Sequence, residues 1–244
     1  MKFTYPDYGR DWFVRDFADN KLTILHEDGL YRHLRFQRPG SSLYWFDLVT
    51  WPGALTITGD VEAFTFKRET DMIAFFRGQR VNPQYWAEKI VDGRGRAKTF
   101  SEDLVKRTIA KALVEYAPQY QTLLDQYYAD LARYNETPED QRYPFAFRGP
   151  RRPQQPKNVA ELRREYADHA SDGLLADESC ARQLLDRWDG YGVTGDSWEL
   201  DLHTFDVHYL RACHAIVWGI KQYDQAKAAA PAAAEETSKE TVNA

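Results

Sequence analysis

The chain is poor in the residues that usually announce a reaction. It holds two cysteines, Cys180 and Cys213, far apart in sequence and in different expected helices. Two such thiols supply neither a disulfide framework nor a paired-cysteine metal knuckle, so a reducing cytoplasm is the expected compartment. No uninterrupted apolar run approaches the roughly 20 residues of a membrane helix, and MKFTYPDYGRDWF lacks the apolar stretch of a secretory signal. Strong basicity is also missing. The net charge is -5, which gives no global field for attracting polyanions and counts against a nucleic-acid coat or scaffold.

Catalytic motifs are equally scarce. There is no G-x-S-x-G elbow, P-loop or H-E-x-x-H. Gly190, Gly192 and Gly195 spell G-x-G-x-x-G, but after a helix ending near Trp188 rather than after a strand, so the segment reads as an interhelical loop. The acidic residues nearby (Asp186, Asp189, Asp196, Glu199, Asp201) fail the calcium-loop pattern, because counting back from Glu199 puts Val193 where glycine is needed. His203, His208 and His214 are not spaced for one helical face. The sequence assigns no catalytic, metal or cofactor-binding residue and implies no cofactor. Enzymatic activity is left open, with a non-enzyme favoured.

What the chain has is aromatic residues, including 7 Trp and 15 Tyr. They concentrate in an N-terminal run that reads as an antiparallel β-meander of about five strands. Asp28-Gly29, Pro39-Gly40, Pro52-Gly53 and Gly59-Asp60 are its turn signals. On the second strand, Leu34 and Phe36 share one face, while Tyr31, His33 and Arg35 share the other. Leu43 to Trp51 is apolar on both faces, which predicts a central strand covered by helices on both sides. Asp47 is its exception. A carboxylate there needs a partner, and Arg32 or Arg35 is the expected one.

Beyond the meander the period becomes helical. Thr70 is read as the cap of a short helix over Met72, Ile73, Phe75 and Phe76. Asn82-Pro83 opens another that carries Tyr85, Trp86 and Ile90. Thr99 and Glu102 form an expected capping box for a long helical segment. Its stripe of Val105, Ile109, Ala112, Tyr116, Tyr120, Leu123, Tyr127, Leu131 and Tyr134 predicts a core face, kinked or split at Pro118. The terminal helix, about Thr204 to Lys227, is apolar on more than one side, which suggests a central position or a homodimer through it.

The expected architecture is α+β: an N-terminal antiparallel meander covered by a mainly helical C-terminal two-thirds, with a disordered tail. The expected segments are 1–95 (meander with short helices), 96–135 (long helical segment), 136–158 (Pro/Arg-rich linker), 159–227 (helical region packing on the sheet) and 228–244 (tail).

Two surfaces are candidates for recognition. Tyr31, His33 and Arg35, with Asp47, form a polar set on one sheet face. Arg148, Arg151, Arg152 and Lys157, bordered by Tyr143, Phe145 and Phe147, combine cations with aromatics as single-stranded nucleic-acid sites do.

The segments LYRHLRFQRPGSSLYWFDLVTWPGALTITGD, NPQYWAEKI and HAIVWGIKQYD resemble uncharacterised proteins of tailed bacteriophages and prophages. The resemblance spans most of the chain, excluding the alanine-rich tail. It implies a small phage accessory protein active inside a bacterial cell, in host takeover, inhibition of a host defence system or phage nucleic-acid metabolism. The absence of a catalytic constellation beside abundant aromatics and an apolar terminal helix favours action in the cytoplasm by binding a host or phage protein. The alternatives are a nucleic-acid-binding protein of phage DNA or RNA metabolism and an enzyme with a dispersed site. No functional residue carries over from that group.

Overall fold

A computed structural model describes Phe13, residues 15–142 and residues 151–242, without the side chains of Asp140 and of residues 230–242. The chain forms two compact units. Unit 1 comprises residues 1–99 and 205–244; unit 2 comprises residues 100–204. The chain leaves unit 1 on β7 (Lys98–Phe100) and returns on β8 (His203–Phe205), and these pair as a two-stranded sheet. The expected 159–227 segment is therefore divided: its first helices build the core of unit 2, and only its last helix serves the sheet.

Unit 1 is an antiparallel sheet in sequence order: β1 (Lys21–Asp28), β2 (Tyr31–Gln37), β3 (Phe46–Trp51), β4 (Ala54–Gly59), β5 (Phe64–Lys67) and β6 (Ile90–Asp92). The α+β architecture is thus as expected, with six strands rather than five. The sequence pattern places Ile90 on the helix opened by Asn82-Pro83, but α2 (Pro83–Ala87) stops short of it and Ile90 pairs with Phe66 in the sheet. Asn82 does cap α2, with Pro83 in its first turn. The cap of α1 (Met72–Phe76) is Asp71, not Thr70. Its carboxylate accepts from the amides of Ile73 and Ala74 and is held from the other side by Arg32.

Register sorts the side chains cleanly. Phe36, Phe46 and Gly59 stand in one row; Leu34, Leu48 and Ile57 stand in the next, with Phe64 and Phe66 beyond. This face is buried under α7 (Val207–Val242), whose Tyr209, Cys213, Ile216, Ile220 and Tyr223 join the same core. Helix and sheet approach closely at Gly219, where a Cβ would come 3.0 Å from Leu48 and 3.1 Å from Phe36. Gly59 is required too: at φ 125 a Cβ would sit 2.5 Å from the Trp45 carbonyl oxygen. Trp218, Val217 and Leu210, on the flanks of α7, also pack against this core. The tail expected from 228 falls mostly on side chains outside the described residues; the last described core contact of α7 is Tyr223, with Lys227 pairing to Glu27 beyond it.

Unit 2 is helical: α3 (Glu102–Tyr116), α4 (Tyr120–Glu136), α5 (Val159–Ser171) and α6 (Glu178–Asp189). Its core gathers Val105, Ile109, Leu162, Leu184 and Trp188. Ser101, rather than Thr99, caps α3, because Thr99 is committed to β7. Pro118 splits the long segment through a short 3₁₀ turn at Ala117–Gln119. The predicted stripe splits with it. Val105, Ile109, Ala112 and Tyr116 are buried, whereas no residue of α4 is. Asn158 caps α5 as expected.

Candidate recognition face

The sheet face turned away from α7 is the candidate site. Central strand β3 was expected to be covered on both sides. Among the described residues one side is covered, and the other presents half-buried or exposed side chains: Tyr31, His33 and Arg35 from β2, Val49 from β3 and Thr56 from β4. The alternation of β2 places Tyr31, His33 and Arg35 here, and pairing with β3 sets Arg35 opposite Asp47 and His33 opposite Val49.

Asp47 organises this face. Arg35 grips it with two bonds, Nε to Oδ1 and Nη2 to Oδ2, each 2.8 Å. His33 Nε2 lies 2.8 Å from Oδ2. The Asp47 side chain is only 5% exposed, whereas those of His33 and Arg35 are each 37% exposed. Burial acts to raise the Asp47 pKa, but the hydrogen bonds and charge of Arg35, then His33, outweigh it and hold the carboxyl below its ordinary value. The Arg35 guanidinium also lies 4.9 Å from the Trp45 ring centre. Of the two arginines expected to hold Asp47, Arg35 does so; Arg32 points to the other face and holds Asp71.

The structure therefore brings His33, Arg35 and Asp47 into direct contact, with Tyr31 53% exposed two residues along β2. Sequence reasoning missed Trp45 as a member. The signal was available: Trp45 stands two residues before Asp47 and shares its face by strand parity. It was masked because every residue around it is also apolar. Tyr44, beside Trp45, adopts φ 57, a left-handed conformation rare for a tyrosine. It is held there by its amide donating to Asp60 Oδ2 and its carbonyl accepting from Asn20.

Comparison with protein-family models, with curated proteins and with solved structures finds no match. The site is interpreted on its own geometry.

Of the second candidate set, Arg151, Arg152 and Lys157 are described. Arg148 and the aromatics Tyr143, Phe145 and Phe147 lie outside the described residues. Arg151 and Arg152 are exposed. Lys157 is paired with Glu161 at 3.2 Å and sits over Tyr191 instead. It lines a cleft of about 580 Å³ in unit 2 with Glu161, Glu165 and Asp168 as well as Arg164 and Arg187. Three acids among three cations make a poor phosphate cradle.

The remaining candidates are accounted for within the fold. Glycines 190, 192 and 195 follow α6 and lead to a 3₁₀ turn at Ser197–Glu199, not to a helix that could receive a pyrophosphate. Ser197 Oγ bonds Asp186 and Asp189, tying the acidic loop together. Among the described residues no group of His, Cys, Asp and Glu could hold a metal ion. Burial pushes the Cys213 thiol up to about 12, so it behaves as a core atom rather than a nucleophile. Among those residues no helix is long and apolar enough to cross a membrane.

Proposed function

We propose that this chain is a phage or prophage accessory protein that acts in the bacterial cytoplasm by binding a host or phage protein through the open sheet face. Host takeover, or inhibition of a host defence system, is the setting this reading assigns. The phage origin rests on the sequence resemblance. The binding reading rests on one observation: a sheet face turned away from α7 whose side chains, among the described residues, include half-buried and exposed ones, and on which a buried carboxylate fixes the Arg35 guanidinium against Trp45 beside His33 and exposed Tyr31.

Tyr, Trp and Arg are the side chains that dominate protein–protein hot spots, since they contribute large contact area with polar tips. An Arg already held by a carboxylate and a ring loses little conformational freedom on binding. The internal Arg35–Asp47 pair also leaves the face near neutral, which suits a protein partner better than a polyanion.

The test compares the full chain with Tyr31→Ala and His33→Ala in capture from a bacterial lysate. The unsubstituted chain retains a stoichiometric protein partner at moderate salt, and both variants lose it while keeping their circular dichroism. Recovery of the chain alone, or equal recovery by the variants, refutes the reading. Nucleic acid in the captured fraction that disappears with Arg151→Ala/Arg152→Ala would transfer the function to the linker.

A further inference from the structure

The two edges of the six-stranded sheet are unequal. β6 contributes three residues, whereas β1 contributes eight and is exposed along nearly its whole length. An edge of that length offers a row of main-chain donors and acceptors to any passing strand. β1 has no proline, and its centre is apolar, with Ile24 40% and Leu25 48% exposed. Its register against β2 shifts between Ile24 and His26, which marks Leu25 as the extra residue of a bulge.

The bulge changes the symmetry of the strand. In a regular strand, residues an odd number apart point to opposite faces. Here Lys21, Thr23, His26 and Asp28 stand opposite Gln37, Arg35, His33 and Tyr31, and so share the open face. Leu22, Ile24 and Glu27 stand opposite Phe36, Leu34 and Arg32, on the helix-covered face. Counted outward from the Ile24–Leu25 bond, the order of faces is the same in both directions. Without the inserted residue it would be reversed. Charge follows the same plan, with a lysine at one end and an aspartate at the other.

We propose that β1 pairs antiparallel with β1 of a second copy of this chain, about a two-fold axis at the Ile24–Leu25 bond. In this register Lys21 stands opposite the partner's Asp28, Thr23 opposite the partner's His26, and Leu22 opposite the partner's Glu27, every pair on one common face. At the axis Ile24 of each copy stands opposite the partner's Leu25, and these side chains lose water together. Each contact occurs twice, as an isologous interface demands. The six strands of each copy then join into one continuous sheet, and the two open faces lie side by side. The occupant is a second copy because the face order and end charges of β1 complement β1 itself; a foreign strand would have to reproduce both. The proposal does not depend on the recognition reading, since its readout is mass rather than partner capture.

Sedimentation of the full chain across a micromolar to submillimolar range tests it. The unsubstituted chain sediments as a concentration-dependent dimer. Lys21→Asp sets four like charges into two opposed pairs, as does Asp28→Lys, and each raises the dimer dissociation constant about tenfold or more. Mixing the two variants restores the dimer, because each then meets the opposite charge on the other; so does K21D/D28K in one chain. Both positions are exposed, so all variants keep the native circular dichroism. A monomer at every concentration overturns the proposal. So does a dimer indifferent to the single substitutions, or single-variant losses that neither the mixture nor the double variant rescues.

Discussion

The two faces of the N-terminal sheet are built from the same strands and differ in almost everything else. The face under α7 carries Leu34, Phe36, Phe46, Leu48, Ile57, Phe64 and Phe66, all removed from water, and its stability comes from area and close packing. The open face carries an Arg–Asp–His cluster, threonines and half-covered tryptophan, with its order set by hydrogen bonds. Alternation alone puts Phe46 and Asp47, adjacent in sequence, in opposite environments. One strand thus carries a packed core on one side and a hydrogen-bonded polar surface on the other, without a separate module for each.

That contrast can be broken in graded steps. Phe46→Ala, on the covered face, leaves a cavity beside Phe36 and Trp218 and should cost about 3–5 kcal/mol in denaturant unfolding. Gly219→Val pushes α7 off Leu48 and Phe36 and should cost about 1–3 kcal/mol in the same measurement. Asp47→Asn on the open face removes the anion that Arg35 and His33 share. Because both partners stay partly hydrated, the expected loss is smaller, about 1–2 kcal/mol.

The pH dependence sharpens the point about Asp47. Its folded pKa is depressed, so below about 3.9 the unfolded chain takes up a proton that the folded chain refuses. The contribution of this cluster is fully present above that value and is lost as pH falls through the folded pKa. Unfolding followed from pH 7 to pH 2 should show a steeper decline for the unsubstituted chain than for Asp47→Asn, and equal slopes would dissociate Asp47 from acid stability. Smallest of all, Tyr31→Ala should shift stability by less than about 0.5 kcal/mol while abolishing partner capture. A large stability loss would mean that Tyr31 is structural.

Much of this was legible beforehand where the signal is local. Glycine turns and strict alternation exposed the meander, Asn82-Pro83 and Asn158 marked helix starts, and Pro118 marked a break, because each acts through the backbone of its immediate neighbours. The Arg35–Asp47 pair was half legible: parity put Arg32 and Arg35 on different faces, and only register decided which one faces Asp47. Where reading failed, a choice between equal local options was settled by distant packing. Ile90 fits a helix or a strand, and pairing with Phe66 selects the strand. The α3–α4 stripe is continuous in sequence, yet only its first half finds a core.

By itself, then, the sequence determined the elements and the two faces of each strand, since turn chemistry and side-chain periodicity are properties of a few consecutive residues. Only the tertiary structure decided that residues 100–204 form a unit of their own, that α7 returns to close a sheet begun nearly two hundred residues earlier, and that the far face of that sheet keeps half-buried and exposed side chains among the described residues. Those outcomes depend on which apolar surfaces meet, and burial free energy carries no record of sequence distance.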